Sequence, residues 1–245
     1  MEAGAVGVGV VELPPARISA GRQLYTIVKK DVISELRTKE MLLSMFLFVV
    51  LAMIVFHFAF AVRPNTDLTY FTGGMLWVTF IFGALLGLNR SFVHEKDEGC
   101  LDGLLLCPVD RVTIFLAKMI GNLVFLLVIQ ALAVPIFTLF FVQASYVGRL
   151  PAFLAVLLLA DIGVCAVGTL LATISMNTKA RDLLLPIVFL PLIIPVLIAA
   201  TSATTGIFAQ TTSLGSLGAK LGFLAAYDAI FVLAAYGTYD FAIGE

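Results

Sequence analysis

Long stretches without a single Asp, Glu, Lys or Arg run through this sequence, and few architectures can accommodate them. Residues 41–62, 70–88, 119–142 and 183–200 carry no charge, and 150–174 and 221–243 are interrupted only by Asp161 and by Asp228 and Asp240. Each run is close to the roughly 20 residues a helix needs to cross about 30 Å of hydrocarbon. Barrel strands alternate polar and apolar positions, so unbroken apolar runs predict an all-α membrane protein with six transmembrane helices. The bilayer is therefore the first partner. With 61% hydrophobic and 13% charged residues the chain departs from soluble domains, which average about 25% charged. A net charge of −1 leaves no basic surplus for phosphates, which excludes nucleic acid as a partner.

Lys and Arg orient the spans. Six precede the first run (Arg17, Arg22, Lys29, Lys30, Arg37, Lys39), four lie between the second and third (Arg90, Lys96, Arg111, Lys118), and two between the fourth and fifth (Lys179, Arg181). The opposite connections hold one each, Arg63, Arg149 and Lys220. Positive charge stays on the cytoplasmic side, so the N-terminus, these two connections and the C-terminus are expected there. Residues 1–21 read as a disordered tail without a cleavable secretion signal, and 22–245 as one six-span domain.

Within 22–39, Leu24, Ile27, Val28 and Val32 share one helical face, with Lys30 and Arg37 on the other. That pattern suits an interfacial elbow helix lying in the headgroup plane; a solvated cytoplasmic helix is the alternative.

The connection 89–118 is acidic in its first half and turns apolar at Leu101, Leu104, Leu105 and Leu106. Gly99 and Pro108 bracket a short helix whose leucines form one face beside Asp97, Glu98 and Asp102. Such a segment is too short to be stable alone. Either a protein partner or the membrane surface must hold it.

Two strings in this sequence are distinctive. GGMLWVTFIFGALLGLNRSF (73–92) is followed by EGCLDGLLLCP (98–108), and LPLIIPVLI occupies 190–198. They closely resemble the heme exporter protein B family, CcmB, whose members carry an acidic-Gly-x-Leu-acidic-x-Leu-Leu-x-x-Pro string after the second span and a Leu-Pro-Leu-x-x-Pro-x-Leu-Ile string in the fifth. The resemblance covers residues 22–200. Cys100, Cys107 and Asp110 depart from it, standing where the family favours small hydroxylated residues and a second proline.

The resemblance implies a permease-like subunit of the type-2 ABC exporter fold in the cytochrome c maturation complex of the inner membrane. A second copy of the chain and two copies of an ATPase subunit are implied beside it. A heme-handling membrane protein, a small single-span subunit and a periplasmic heme chaperone complete the set. Asp97, Glu98, Gly99, Leu101, Asp102, Leu104, Leu105 and Pro108 would then be a cytoplasmic coupling helix seated in the ATPase cleft. No G-x-x-x-x-G-K-[ST] phosphate loop occurs in the chain, so ATP-Mg belongs on the partner, and this chain is read as non-catalytic with no cofactor of its own. Heme is the implied cargo. Competing readings are an ABC-2 permease for a lipid, polysaccharide or drug, an ion-driven transporter using Asp161 and Asp228, and a passive scaffold.

Other residues carry narrower expectations. Pro186, Pro191 and Pro195 in the fifth run predict a kinked or broken helix, either flexing or static, with TSATTG (201–206) emerging beyond it. Gly83-x-x-x-Gly87 and Gly168-x-x-x-Ala172 allow close helix approach, to a second copy or to a partner. Asp161 suits a helix–helix hydrogen bond better than a proton relay. His57 is a weak candidate for a heme contact and Trp77 a packing residue. Cys100, Cys107 and Cys165 form no CxxC pair, so no disulfide framework or zinc site is expected.

Overall fold

With no water in hydrocarbon to take up backbone hydrogen bonds, each apolar run closes its own bonds as a helix. The computed structural model describes residues 19–61, 68–97, 110–142, 146–175 and 181–242. Seven α-helices are found among them: α1 (Ala20–Thr38), α2 (Glu40–Ala61), α3 (Thr69–Asp97), α4 (Arg111–Phe141), α5 (Leu150–Ser175), α6 (Arg181–Phe208) and α7 (Leu214–Ala242). The last six are long and apolar enough to cross a membrane. The described residues contain no strand. The expected tail lies outside them except at its end, where Ala20 and Gly21 already belong to α1.

α3 and α5 are the inner helices, with 72% and 56% of their apolar windows buried against 22–33% for the other four spans. α5 packs along α4, α6 and α7 and also meets α3. Its sequence explains the position. Every residue from Gly163 to Thr169 is buried, and Gly163, Cys165, Ala166 and Gly168 are small enough for neighbours to close in from several sides.

The glycine motifs serve these contacts within the chain. A Cβ on Gly83 would lie 2.9 Å from a Val49 methyl, and one on Gly87 would lie 2.5 Å from the Met45 sulfur, so both seat α3 against α2. Gly168 receives Leu88 of α3 in the same way. The partner of these stripes is thus another helix of the same chain, where a second copy or another subunit was expected. Met41, Met45, Val49 and Met53 form the buried stripe of α2 that meets α3.

Four boundaries differ from those expected. α3 runs to Asp97 rather than 88. α4 starts at Arg111 rather than 119, because the charge of Lys118 is neutralised inside the fold. α7 starts at Leu214 rather than 221. α6 does not stop at 200: TSATTG is helical, and Ala203 and Thr204 are fully buried. Its polarity has a packing reason, since the indole N–H of buried Trp77 on α3 donates to the Thr204 hydroxyl at 2.9 Å. α6 is also unbroken through all three prolines, where a break was among the expectations.

The Trp77–Thr204 bond gives a test. Thr204→Val removes the acceptor without changing side-chain shape and should cost about 1 kcal/mol. Thr205→Val, whose hydroxyl has no partner, should cost less. Thermal unfolding of the detergent-purified protein compares the two.

Candidate functional site

The segment singled out by sequence joins α3 to α4. Asp97 is the last residue of α3, while Glu98, Gly99, Leu101, Asp102, Leu104, Leu105 and Pro108 lie outside the described residues, as does the side chain of Asp97. What the structure describes is the frame on either side. Leading in, Arg90 on α3 pairs with Glu40 and donates to the Ser44 hydroxyl at 3.1 Å, both on α2. Leading out, Asp110 caps α4 in extended conformation, and eight residues on Lys118 pairs with Asp31 of α1 at 2.7 Å.

That second pair is buried. Lys118 is 3% exposed and the Asp31 side chain 14%, and Ile27 of α1 packs beside them on Ile114 and Ala117 of α4. The apolar face predicted for the elbow, Leu24, Ile27, Val28 and Val32, is the packed one, and its partner is α4 together with the main core. α1 meets α2 through a single residue, Lys39, in the left-handed region at φ 59°. The Glu35 carboxylate accepts the Leu42 N–H at 2.9 Å, satisfying one of the free donors at the start of α2.

The two intramembrane acids occupy different interfaces. Gln130 of α4 donates through Nε2 to Asp161 Oδ1 at 2.9 Å, with both residues fully enclosed. Asn122 donates to Thr169 at 3.2 Å farther along the same α4–α5 contact. The helix–helix hydrogen bond expected of Asp161 is therefore present. Asp228 of α7 sits on the other side of α5, against Gly163, and neither of its oxygens has a hydrogen-bond partner. Among the described residues no side-chain hydrogen bond joins the two acids.

Pro191 and Pro195 lie on the exposed face of α6. Beside them the Tyr227 hydroxyl of α7 donates to the Leu192 carbonyl at 2.7 Å, a side-chain donor brought to backbone in the proline region. His57 is half-buried among aromatic rings, with centroids 5.0 Å from Phe140 and 5.9 Å from Phe58. Among the described residues no group of three or more His, Cys, Asp or Glu is arranged to hold a metal.

A sequence model described as CcmB protein matches residues 22–243, nearly the whole chain. The chain belongs to the CcmB family. The CcmB match extends the resemblance seen in the two sequence strings through α7. Heme exporter protein B of Pseudomonas aeruginosa is 29% identical over 153 residues, covering 62% of this chain and 68% of that protein. The protein of the same name from Rhodobacter capsulatus is 29% identical over 143 residues, covering 57% and 63%, and that from Paracoccus denitrificans 28% over 145 residues, covering 59% and 66%. The alignments thus span about two thirds of the length of these CcmB relatives.

The Asp31–Lys118 pair of this CcmB chain escaped the sequence reading, which counted Lys118 as a loop cation. The available signal was Lys118 standing one residue before an uncharged run, with an acid on the predicted elbow. Breaking a buried pair strands the remaining charge, so Asp31→Asn should cost about 3 kcal/mol or more. The double change Asp31→Asn with Lys118→Met should recover most of that, as read by thermal unfolding in detergent.

Proposed function

We propose that this chain is the non-catalytic membrane subunit of an ABC complex that exports heme, or releases a heme-loaded chaperone, in c-type cytochrome biogenesis. The family match over residues 22–243 carries this reading, and it is supported by three relatives named heme exporter protein B. Heme is cargo here. ATP-Mg is bound and hydrolysed by a separate ATPase subunit, two copies of which work beside two copies of this chain. A heme-handling membrane protein, a small single-span subunit and a periplasmic heme chaperone complete the assembly. The chain lies in the inner membrane with both termini cytoplasmic, the side to which twelve of its fifteen Lys and Arg are assigned.

Each part of the chain has a task in this mechanism. Asp97–Pro108 forms the coupling helix, with Leu101, Leu104 and Leu105 filling an apolar cleft on the ATPase and Asp97, Glu98 and Asp102 facing its cations. Closure of the two ATPases displaces that helix, and the displacement enters the bundle through the last turns of α3 and the first turns of α4. Both are anchored, α3 to α2 by Arg90 and α4 to α1 by Lys118. Motion at one end is thereby delivered to the periplasmic ends of the spans as a shift between two packed states, not dissipated in a loose loop.

Replacing Leu104 and Leu105 by Asp tests this. The ATPase activity of the co-purified complex and the yield of c-type cytochrome should both fall several-fold while the chain still inserts in the membrane. Unchanged hydrolysis together with normal cytochrome maturation would overturn the coupling role.

A further inference from the structure

At the end of the bundle opposite α1, the first turn of α3, the last turns of α6 and the first turns of α7 leave an open groove of about 650 Å³. That volume lies in the range of small-ligand sites. The groove has two kinds of wall. Leu197 and Ile198 supply apolar surface, and Ile198 is 62% exposed on the outer face of α6. Nearer the helix ends the lining turns to hydroxyls, among them Thr201, Ser202, Thr205 and Ser216. Among the described residues that line it, Lys220 is the one charged group and none is a carboxylate.

Two details set this lining apart from ordinary helix packing. Several helical threonines elsewhere return their hydroxyl protons to their own backbone: Thr79 to Met75, Thr138 to Val134, Thr173 to Thr169 and Thr238 to Ala234. Thr201 and Thr205 do not, and their buried hydroxyls have no partner. Lys220, in turn, reaches from α7 to the Ser202 carbonyl of α6 at 3.0 Å, which fixes its ammonium at the groove. An ammonium has three donors, so two remain. The connection that forms the end wall is held as well, because Arg149 donates to the Thr212 carbonyl at 3.2 Å.

We infer that this groove binds an anionic amphiphile, whose phosphate or carboxylate oxygens accept from Lys220 and the neighbouring hydroxyls while its apolar body lies along Leu197 and Ile198. A fixed cation with spare donors, exposed hydroxyl residues at Ser202 and Thr211 and an adjoining apolar wall together select a charged head on a greasy body. The site lies at the ends of three spanning helices, the depth at which lipid headgroups reside. Two sources share this chemistry: an anionic phospholipid, and a porphyrin with its propionates. The groove stands on its own residues whether or not heme is the cargo, and only the porphyrin source rests on the export reading.

The test uses the full chain purified in a nonionic detergent. Phosphatidylglycerol and phosphatidylcholine are titrated by native mass spectrometry, and hemin by its absorbance, for the wild type and for Lys220→Gln, Lys220→Arg and Ser202→Ala. The wild type should bind phosphatidylglycerol or hemin at one site and bind phosphatidylcholine much more weakly. Lys220→Gln should lose about tenfold in affinity, the loss of one charge-assisted contact. Lys220→Arg should retain binding, and Ser202→Ala should weaken it to a smaller extent. Unchanged melting temperatures establish that the variants are folded. Binding of phosphatidylglycerol that displaces hemin assigns the lipid source, and hemin binding that survives excess phosphatidylglycerol assigns the porphyrin. Failure of both to bind the wild type, equal affinity for phosphatidylcholine, or full affinity in Lys220→Gln overturns the inference. None of these readouts depends on ATP hydrolysis or cytochrome yield, so its failure leaves the transport reading standing, and the reverse.

Discussion

Polar groups inside a bilayer must find their partners in the protein, and this requirement organises the bundle. Apolar surface gives little reason for one spanning helix to prefer another, because lipid tails are as apolar as leucine. Specificity comes from the few polar side chains and from the small residues that let them meet. Gln130 reaches Asp161 and Asn122 reaches Thr169, tying α4 to α5. Trp77 reaches Thr204, tying α3 to α6, and Tyr227 reaches Leu192, tying α7 to α6. Gly73 brings α3 close to α6 beside the Trp77 bond, while Gly83 and Gly87 close α3 on α2, Gly163 closes α5 on α7 and Gly168 closes α5 on α3. The inner helices α3 and α5 carry most of these small residues, and they are also the most buried.

Much of this architecture was legible from one-dimensional features. A run without charge is a local property, and each of the six predicted runs is a helix. The packed face of α1 was legible too, since Leu24, Ile27, Val28 and Val32 share an arc at helical spacing. Ends were harder. A charge or a cluster of hydroxyls reads as the end of a span unless its partner is known, and those partners are distant in sequence. Lys118 is made tolerable by Asp31, 87 positions away, and Thr204 by Trp77, 127 positions away. Small-residue spacing announced close contact without naming the other side, so the motifs at Gly83 and Gly168 pointed outward when their partners lay within the chain. The proline-rich run suggested interruption, yet α6 is continuous, with Pro191 and Pro195 turned to its exposed face.

The proposed coupling segment illustrates a different kind of legibility. Its leucines and carboxylates are recognisable because two strings resemble a family, and the family match extends that likeness over residues 22–243. Physical reasoning on the segment alone left a protein surface and a headgroup layer as equal hosts. The frame around it adds an independent argument, because a buried, paired charge in the first turns of α4 is a costly way to build a passive connector.

The one-residue joint at Lys39 has a mechanical corollary. Each residue in a helix advances the azimuth by about 100°, and only a single left-handed residue separates α1 from α2. In so short a joint only the φ and ψ of Lys39 set the angle between the two helices. The direction in which Asp31 points is therefore set relative to α2 at one residue, and Lys118 ties it to α4. Two spanning helices with no loop in common are thus bridged by α1, through Lys39 at one end and the Asp31–Lys118 pair along its length.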